Sequence, residues 1–283
     1  MITGFMTFEA FHGRKNIGGT RLRAHWPIAR WNDAGPDIGP AALYRFGDKP
    51  DVMVYQKVYN FEHAENFDGI KILDLCDPDF LHPAYPVKRM IEACDAVVCC
   101  TEALAAAVAG FAGNKPVHVI ADHVLDPESA PIKEHKGELK TVSWYGYADN
   151  FPALESAVVA LKRRGLKLIV VATKPYTPIS APDLDVVNYP WSADNWVADF
   201  MRADVVINPK LADGRFPFKS DNKTIQAWTV GMPVIDNDAD FDRFQTAEQR
   251  ATEGLARRQW VIENRDVRRH VEQLKEVILS IKK

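Results

Sequence analysis

The chain has 283 residues, 47% of them hydrophobic and 26% charged, with a formal net charge of −3. This composition excludes a chain dominated by disorder, and the near-balanced charge excludes the global basic surface that marks most small nucleic-acid-binding proteins. The length suffices for two α/β domains, each with its own core.

In chain order, Ile2–Met6, Val52–Val58, Ile70–Leu75, Ala96–Cys100 and Val117–Ile120 read as strands, with helices near Thr20–Trp31, Val87–Ala93 and Glu102–Phe111. Short apolar runs alternating with helical patterns predict parallel strands joined by crossover helices. The polar stretch Asp126–Glu138, with Pro127 and Pro131, reads as a linker between a domain over residues 1–130 and a second over 131–283. Alternation then restarts: strands at Thr141–Tyr145, Leu166–Ala172, Val186–Tyr189, Asp204–Asn208 and Pro233–Asp236, helices near Phe151–Arg164, Asp194–Met201 and Asp221–Val230. Leu154, Val158 and Leu161 share one helical face, and Gly165 ends that helix. From Arg250 to Lys283 the chain is charged and helical, without a strand pattern.

Cys76, Cys94, Cys99 and Cys100 lack the paired CxxC spacing of a zinc or dithiol site and read as reduced, buried thiols. Glu9, His12, Arg14 and Lys15 interrupt any leader-like start, and Thr101 and Glu102 divide the apolar Ala96–Gly113 into strand and helix, so a cytoplasmic protein without a membrane span is expected.

The most informative segment runs from Asp213 to Ile235. A loop with Gly214 and Pro217 leads to Ser220, read as an N-cap, then to a helix stopped by Gly231 and Pro233 before a buried strand. Free N–H groups at such a helix start, with Lys219, Asn222 and Lys223 beside them, suit a diphosphate; an ordinary capped surface helix with two solvated lysines explains the same residues.

The run Lys219-Ser220-x-Asn222-Lys223-x-x-x-Ala227-x-x-x-Gly231-x-Pro233-Val234-Ile235 resembles the donor-site helix of nucleotide-sugar glycosyltransferases of the glycosyltransferase-B fold. Lys71–Asp77, Cys94–Glu102, Val142–Gly146 and Ala203–Pro209 resemble further strands of that fold in the same order. The resemblance spans about residues 16 to 237 and implies two Rossmann-like parallel-sheet domains facing across a cleft, an acceptor-side domain followed by a nucleotide-sugar domain. It departs from the two glutamates that many retaining members carry with seven residues between them, since Phe218 and Gln226 stand in their places.

In the first half, Asn16-Ile-Gly18-Gly19-Thr20-Arg21-Leu-Arg23 resembles a glycine loop followed by an arginine-bearing helix start. The glycines would let the backbone approach a ligand, while Arg21 and Arg23 supply bidentate donors; on one helix they point apart, so at most one reaches a cleft. Surface charge at a loop-to-helix junction is the alternative. Tyr145, Gly146 and Tyr147 close the first strand of the second half, Lys174 follows the next, and strand ends are where open α/β sheets bind ligands. Asp74, Asp77 and Asp79 invite a metal reading, but a turn or cap accounts for them as well, and His123 reads as structural as readily as cleft-facing.

The resemblance implies transfer of a hexose from a nucleoside diphosphate sugar, a UDP-sugar first, to a hydroxyl, with retention. Arg21, Lys219 and Lys223 would stabilise the leaving diphosphate, while Gly18, Gly19, Arg23, Tyr147, Lys174, Ser220 and Asn222 bind the donor. No metal and no bound cofactor is expected. The basic stretch Arg14–Arg30, free of acidic residues, fits an acceptor such as a hydroxymethylated pyrimidine in DNA; a glycan or small molecule fits equally. Asp77, Asp122 and His123 keep a sugar-nucleotide epimerase or hydrolase open, and the missing glutamates a non-catalytic nucleotide or nucleic-acid binding module.

Overall fold

Strand segments such as Val52–Gln56 and Ala96–Cys99 are buried at every position. Such strands suit parallel sheets covered on both faces, where both side-chain rows meet packed helices. The computed structural model describes residues 1–281 and contains two such sheets. The first holds β1 (Thr3–Thr7), β2 (Ala41–Leu43), β3 (Val52–Gln56), β4 (Ile70–Leu75), β5 (Ala96–Cys99) and β6 (Val117–Val119) in the order β2-β1-β3-β4-β5-β6. The second holds β7 (Thr141–Gly146), β8 (Lys167–Ala172), β9 (Val186–Pro190), β10 (Val205–Ile207) and β11 (Val234–Ile235) in the order β11-β10-β7-β8-β9. Every pairing within the two sheets is parallel. Strand order reverses beside β1 in the first sheet and beside β7 in the second, and such switch points open a crevice at the strands' carboxyl ends.

The expected strands all form, most within a residue or two of their expected ends. The short edge strand β2 and the short helices Phe8–His12 and Phe61–Glu65 had no expectation attached. The helix expected at Thr20–Trp31 forms as Gly18–Ala29 with a widened π turn over Arg21–His25. All four cysteines are free, and Cys76 is only partly buried. Among the described residues, no helix is long and apolar enough to cross a membrane.

The chain forms two compact units. One comprises Met1–Leu125, Asp213–Asp221 and the chain from Arg265 onward; the other comprises Asp126–Ala212 and Asn222–Asn264. The expected domains were 1–130 and 131–283; in this division the loop Asp213–Asp221 and the last helix belong with the first unit. Val267–Ile281 packs Val271, Leu274 and Ile278 among Phe5, Trp31, Val54 and Ile72 of the first unit. Its entry is fixed by Val124 N–H donating to the Arg265 carbonyl at 2.8 Å and Val267 N–H to the Val124 carbonyl at 2.9 Å. The helical C-terminus was expected to reach Lys283; Lys282 and Lys283 lie outside the described residues.

The stretch expected as a linker is laid along the second unit. Lys133 Nζ donates to the Met201 carbonyl at 2.7 Å, its N–H to the Val230 carbonyl at 2.8 Å, and Arg258 donates to the carbonyls of Pro127 and Glu128. In that unit the helix Ala247–Asn264 crosses the end of the helix Asn222–Thr229 at a glycine: a Cβ on Gly254 would lie 1.9 Å from the Gly231 carbonyl oxygen. The obstacle is backbone, which cannot swing aside. Gly254→Ala should therefore lower unfolding free energy by about 1–3 kcal/mol, the usual scale of overpacking; equal urea midpoints for the two proteins would show that the helices do not meet this closely.

Where the C-terminal helix docks in the first unit, His123 and His270 pack edge to face with centroids 5.8 Å apart. Burial, followed by the nearby Arg265 and Arg23, lowers the pKa of His123 from 6.5 to about 4, and burial holds His270 well below its ordinary value. Both rings are therefore neutral near pH 7, with Asp122 and Asp266 the acidic neighbours. Between pH 6.5 and 4 the unfolded chain binds protons that the folded histidines refuse, so stability falls as pH falls through that window. For His123 alone the loss approaches roughly 3 kcal/mol at about 1.4 kcal/mol per pKa unit. Urea unfolding at pH 7, 5.5 and 4.5 should show this slope reduced in His123→Asn; an identical slope would remove His123 as its source.

Candidate functional site

At the carboxyl edge of the first sheet, the residues that follow β3 and β4 meet in a chain of charges. Lys57 lies in the left-handed region at φ 53°. Its Nζ reaches Asp77 Oδ2 at 2.6 Å and Asp79 Oδ2 at 3.3 Å. Asp79 also accepts from the Tyr59 hydroxyl at 2.6 Å, and Asp77 pairs with Lys219. Burial opposes ionisation of Asp77, but Lys57 and Lys219 together hold its pKa below the usual value. Lys57 thus bridges Asp77 and Asp79, and among the described residues no group of three His, Cys, Asp or Glu is placed to hold a metal ion.

Deeper in the same unit, Arg23 is fully buried. Its Nη2 donates to Asp74 Oδ1 at 2.9 Å, and its Nη1 donates to the Ile120 carbonyl at 2.5 Å and approaches Asp122 at 3.4 Å. Although burial works against its charge, Asp74 and Asp122 hold the guanidinium ionised. Asp122 also accepts from Ser220 Oγ at 2.6 Å. These contacts correct one expectation: Arg23 faces the interior rather than a ligand, while Ser220, two residues ahead of the helix that begins at Asn222, donates its hydroxyl proton to Asp122. The loop carrying Ser220 is pinned to the first unit elsewhere too: Thr101 Oγ1 donates to the Phe218 carbonyl at 3.1 Å, the Phe218 ring meets Phe80 edge-on, and Arg265 pairs with Asp221 at 3.0 Å.

Gly18 and Gly19 open the short helix beside the β1 switch point, and a Cβ on Gly19 would lie 3.2 Å from Cys76 Sγ. Gln56 ties this helix to β3, accepting from Thr20 Oγ1 at 2.9 Å. Arg21 stacks its guanidinium over Trp26 at 5.6 Å, and Arg14 over Phe8 at 5.7 Å. The basic stretch is less cationic than its sequence suggests, because Arg23 is neutralised inside, Arg30 lies 3.6 Å from Asp33, and His25 meets Glu9 at 2.9 Å.

In the second unit the residues gather where β7 ends. The helix Asn222–Thr229 buries Ile225, Gln226, Ala227 and Thr229, leaving Asn222 and Lys223 partly exposed at its first turn. Asn208, just beyond β10, donates to Thr224 Oγ1 at 3.1 Å and braces that turn. The Tyr145 hydroxyl donates to the Lys223 carbonyl, and the Lys223 ammonium lies 4.5 Å from the centre of the Trp144 ring. Tyr147 is exposed beside it in sequence, and Lys174 is exposed two residues past the end of β8. Of the expected donor residues, Lys223 and Asn222 thus stand with Tyr145 and Gly146 in one unit, while Lys219, Ser220, Gly18, Gly19, Arg21 and Arg23 belong to the other. Phe218 and Gln226, at the positions where the sequence resemblance would put glutamates, are packed: Phe218 against Phe80 and Gln226 on the buried face of its helix. Lys57 and Trp144 carried no motif; a lysine directly after a parallel strand was the available signal for the first.

No protein-family model matches the sequence, and no curated protein matches it. Solved structures do share the fold. A glycosyltransferase from Rickettsia africae superposes over 100% of this chain and 98% of its own, with a TM-score of 0.65 and 10% identity. An α-glucosyltransferase solved with UDP and a 13-mer DNA containing an HMU base covers 100% and 99%, with a TM-score of 0.61 and 6% identity. A mutant of S. aureus TarM, solved with fondaparinux, α-GlcNAc-glycerol and UDP, matches 81% of this chain with a TM-score of 0.54 and 14% identity; the chain spans about half the length of that protein, 54%. The two parallel α/β sheets of this chain are those of the glycosyltransferase-B fold that these transferases share.

Proposed function

We propose that the chain is a glycosyltransferase that moves a hexose from a nucleoside diphosphate sugar, a UDP-sugar, to a hydroxyl acceptor. The observation that carries the reading is the placement of Lys223: it stands at the first turn of the helix Asn222–Thr229, with its ammonium at the carboxyl end of β7, the switch-point strand. The positive end of the helix dipole favours an anion there, and a cation beside it favours a diphosphate. Fission of the anomeric bond loads charge onto that diphosphate, so fixed donors lower the barrier without a separate nucleophile. Lys219, Asn222, Tyr147 and Lys174 enter as further donor contacts on the motif and on their strand-end positions. Arg21, Gly18 and Gly19 enter on the motif alone. The transfer is proposed to retain anomeric configuration, which the coupling constant of the product's anomeric proton tests. His123, neutral and hydrogen-bonded to the Ala121 carbonyl at 2.7 Å inside the first unit, lends nothing to an epimerase reading.

Lys223→Ala should weaken UDP binding and slow transfer at least tenfold, and removal of one leaving-group donor costs on the order of 3 kcal/mol in related chemistry. Lys162→Ala, at the exposed end of another helix, is the control. Equal UDP affinity in folded wild type and Lys223→Ala would remove the donor site from this place.

For the acceptor, DNA bearing a hydroxymethylated pyrimidine is the first candidate, supported by the UDP- and DNA-bound structural neighbour and by Arg14 and Lys15. Changing Arg14, Lys15 and Arg30 together should weaken binding of such DNA and flatten its salt dependence, the slope falling by about one for each phosphate no longer neutralised. Binding unchanged across a salt series returns these residues to surface charge and turns the search to glycans and small molecules.

A further inference from the structure

Gly146 ends β7 with φ 155°, and the space its side chain would fill is occupied. A Cβ built there would lie 2.7 Å from Lys223 Nζ and 3.0 Å from Lys223 Cε, with Trp144 Cη2 next at 3.1 Å. Three successive residues of β7 therefore fix Lys223. Tyr145 holds its carbonyl, the Trp144 ring carries its ammonium, and the bare backbone of Gly146 gives that ammonium room. A lysine side chain left to itself samples many rotamers, and ordering it costs conformational entropy. Here the ring face attracts the cation and the missing side chain admits it, so the cost is met before any ligand arrives.

We infer that Gly146 is a positioning residue for Lys223: its missing side chain lets the ammonium cross the end of β7 to where the diphosphate is proposed to bind. The inference rests on the donor-site reading above. The nearest atoms in the way of a new side chain are the far end of a flexible chain, and Trp144 Cη2 would have to give by a few tenths of an ångström, so an alanine at this position displaces the ammonium first. Some loss of stability from the backbone angle accompanies any substitution here, and it is independent of Lys223.

That independence makes the test. UDP affinity is measured by calorimetry for wild type, Gly146→Ala, Lys223→Ala and the double variant, with folding checked by thermal melting. Lys223→Ala should weaken UDP about tenfold or more, the scale of one charge-assisted hydrogen bond. Gly146→Ala should weaken it by a similar factor. The double variant should bind within about twofold of Lys223→Ala, because the two changes remove one and the same interaction. If Lys223→Ala leaves UDP affinity unchanged, the donor-site reading itself fails. If Lys223→Ala weakens binding but Gly146→Ala does not, or weakens it by the same factor in both backgrounds, the positioning inference fails alone. Should Gly146→Ala not fold, the native chain supplies the answer: the Trp144 indole resonances should move on UDP addition and stay in place in Lys223→Met, and unmoved resonances in the native chain would overturn the inference.

Discussion

A guanidinium sealed from water organises the first unit. Arg23 comes from the helix after the glycine pair, Asp74 from β4 and Asp122 from the chain beyond β6, and Ser220 arrives on a loop from nearly a hundred residues later. Each polar atom in this group needs the others: removing one partner of a buried ion pair leaves an uncompensated charge, at a cost of about 3–5 kcal/mol. The node accounts for the inward turn of Arg23, and it accepts the hydrogen bond of the Ser220 hydroxyl just before the helix Asn222–Thr229 starts. The lysine–carboxylate chain of Lys57, Asp77, Asp79 and Lys219 lies nearer the surface, in the segments that follow β3 and β4 and on the Asp213–Asp221 loop.

The division of labour along residues 213–235 follows from this. The loop up to Asp221 is anchored in the first unit by side-chain contacts at consecutive positions, and from Asn222 the chain belongs to the second. One short motif therefore contributes to two bodies. In the second, Lys223 is fixed by its own strand neighbours, which separates the preparation of the cation from the contacts that hold the loop.

Much of the architecture was legible because a parallel strand buried on both faces is written as an unbroken apolar run. Ala96–Cys99 ends one residue earlier than expected and β8 begins one residue late. What stayed hidden depends on long-range partners. Nothing local in Leu22-Arg23-Ala24 says that its arginine meets two aspartates 51 and 99 residues away. The charged C-terminal helix hides an apolar stripe, Val271, Leu274 and Ile278, at helical spacing; the stripe was readable, but not which unit it would cover. Asp126–Glu138 looked like a linker because it is polar, whereas its carbonyls and lysine are used for packing on the second unit.

The account turns on phosphate recognition at the end of β7, and calorimetry comparing UDP with UMP on the native chain addresses it most directly. A site built from a helix start and a positioned ammonium should prefer the diphosphate by at least about tenfold, since charge-assisted contacts to the second phosphate are each worth more than about 1.5 kcal/mol. Equal affinity for UDP and UMP, or no binding of either, would contradict it.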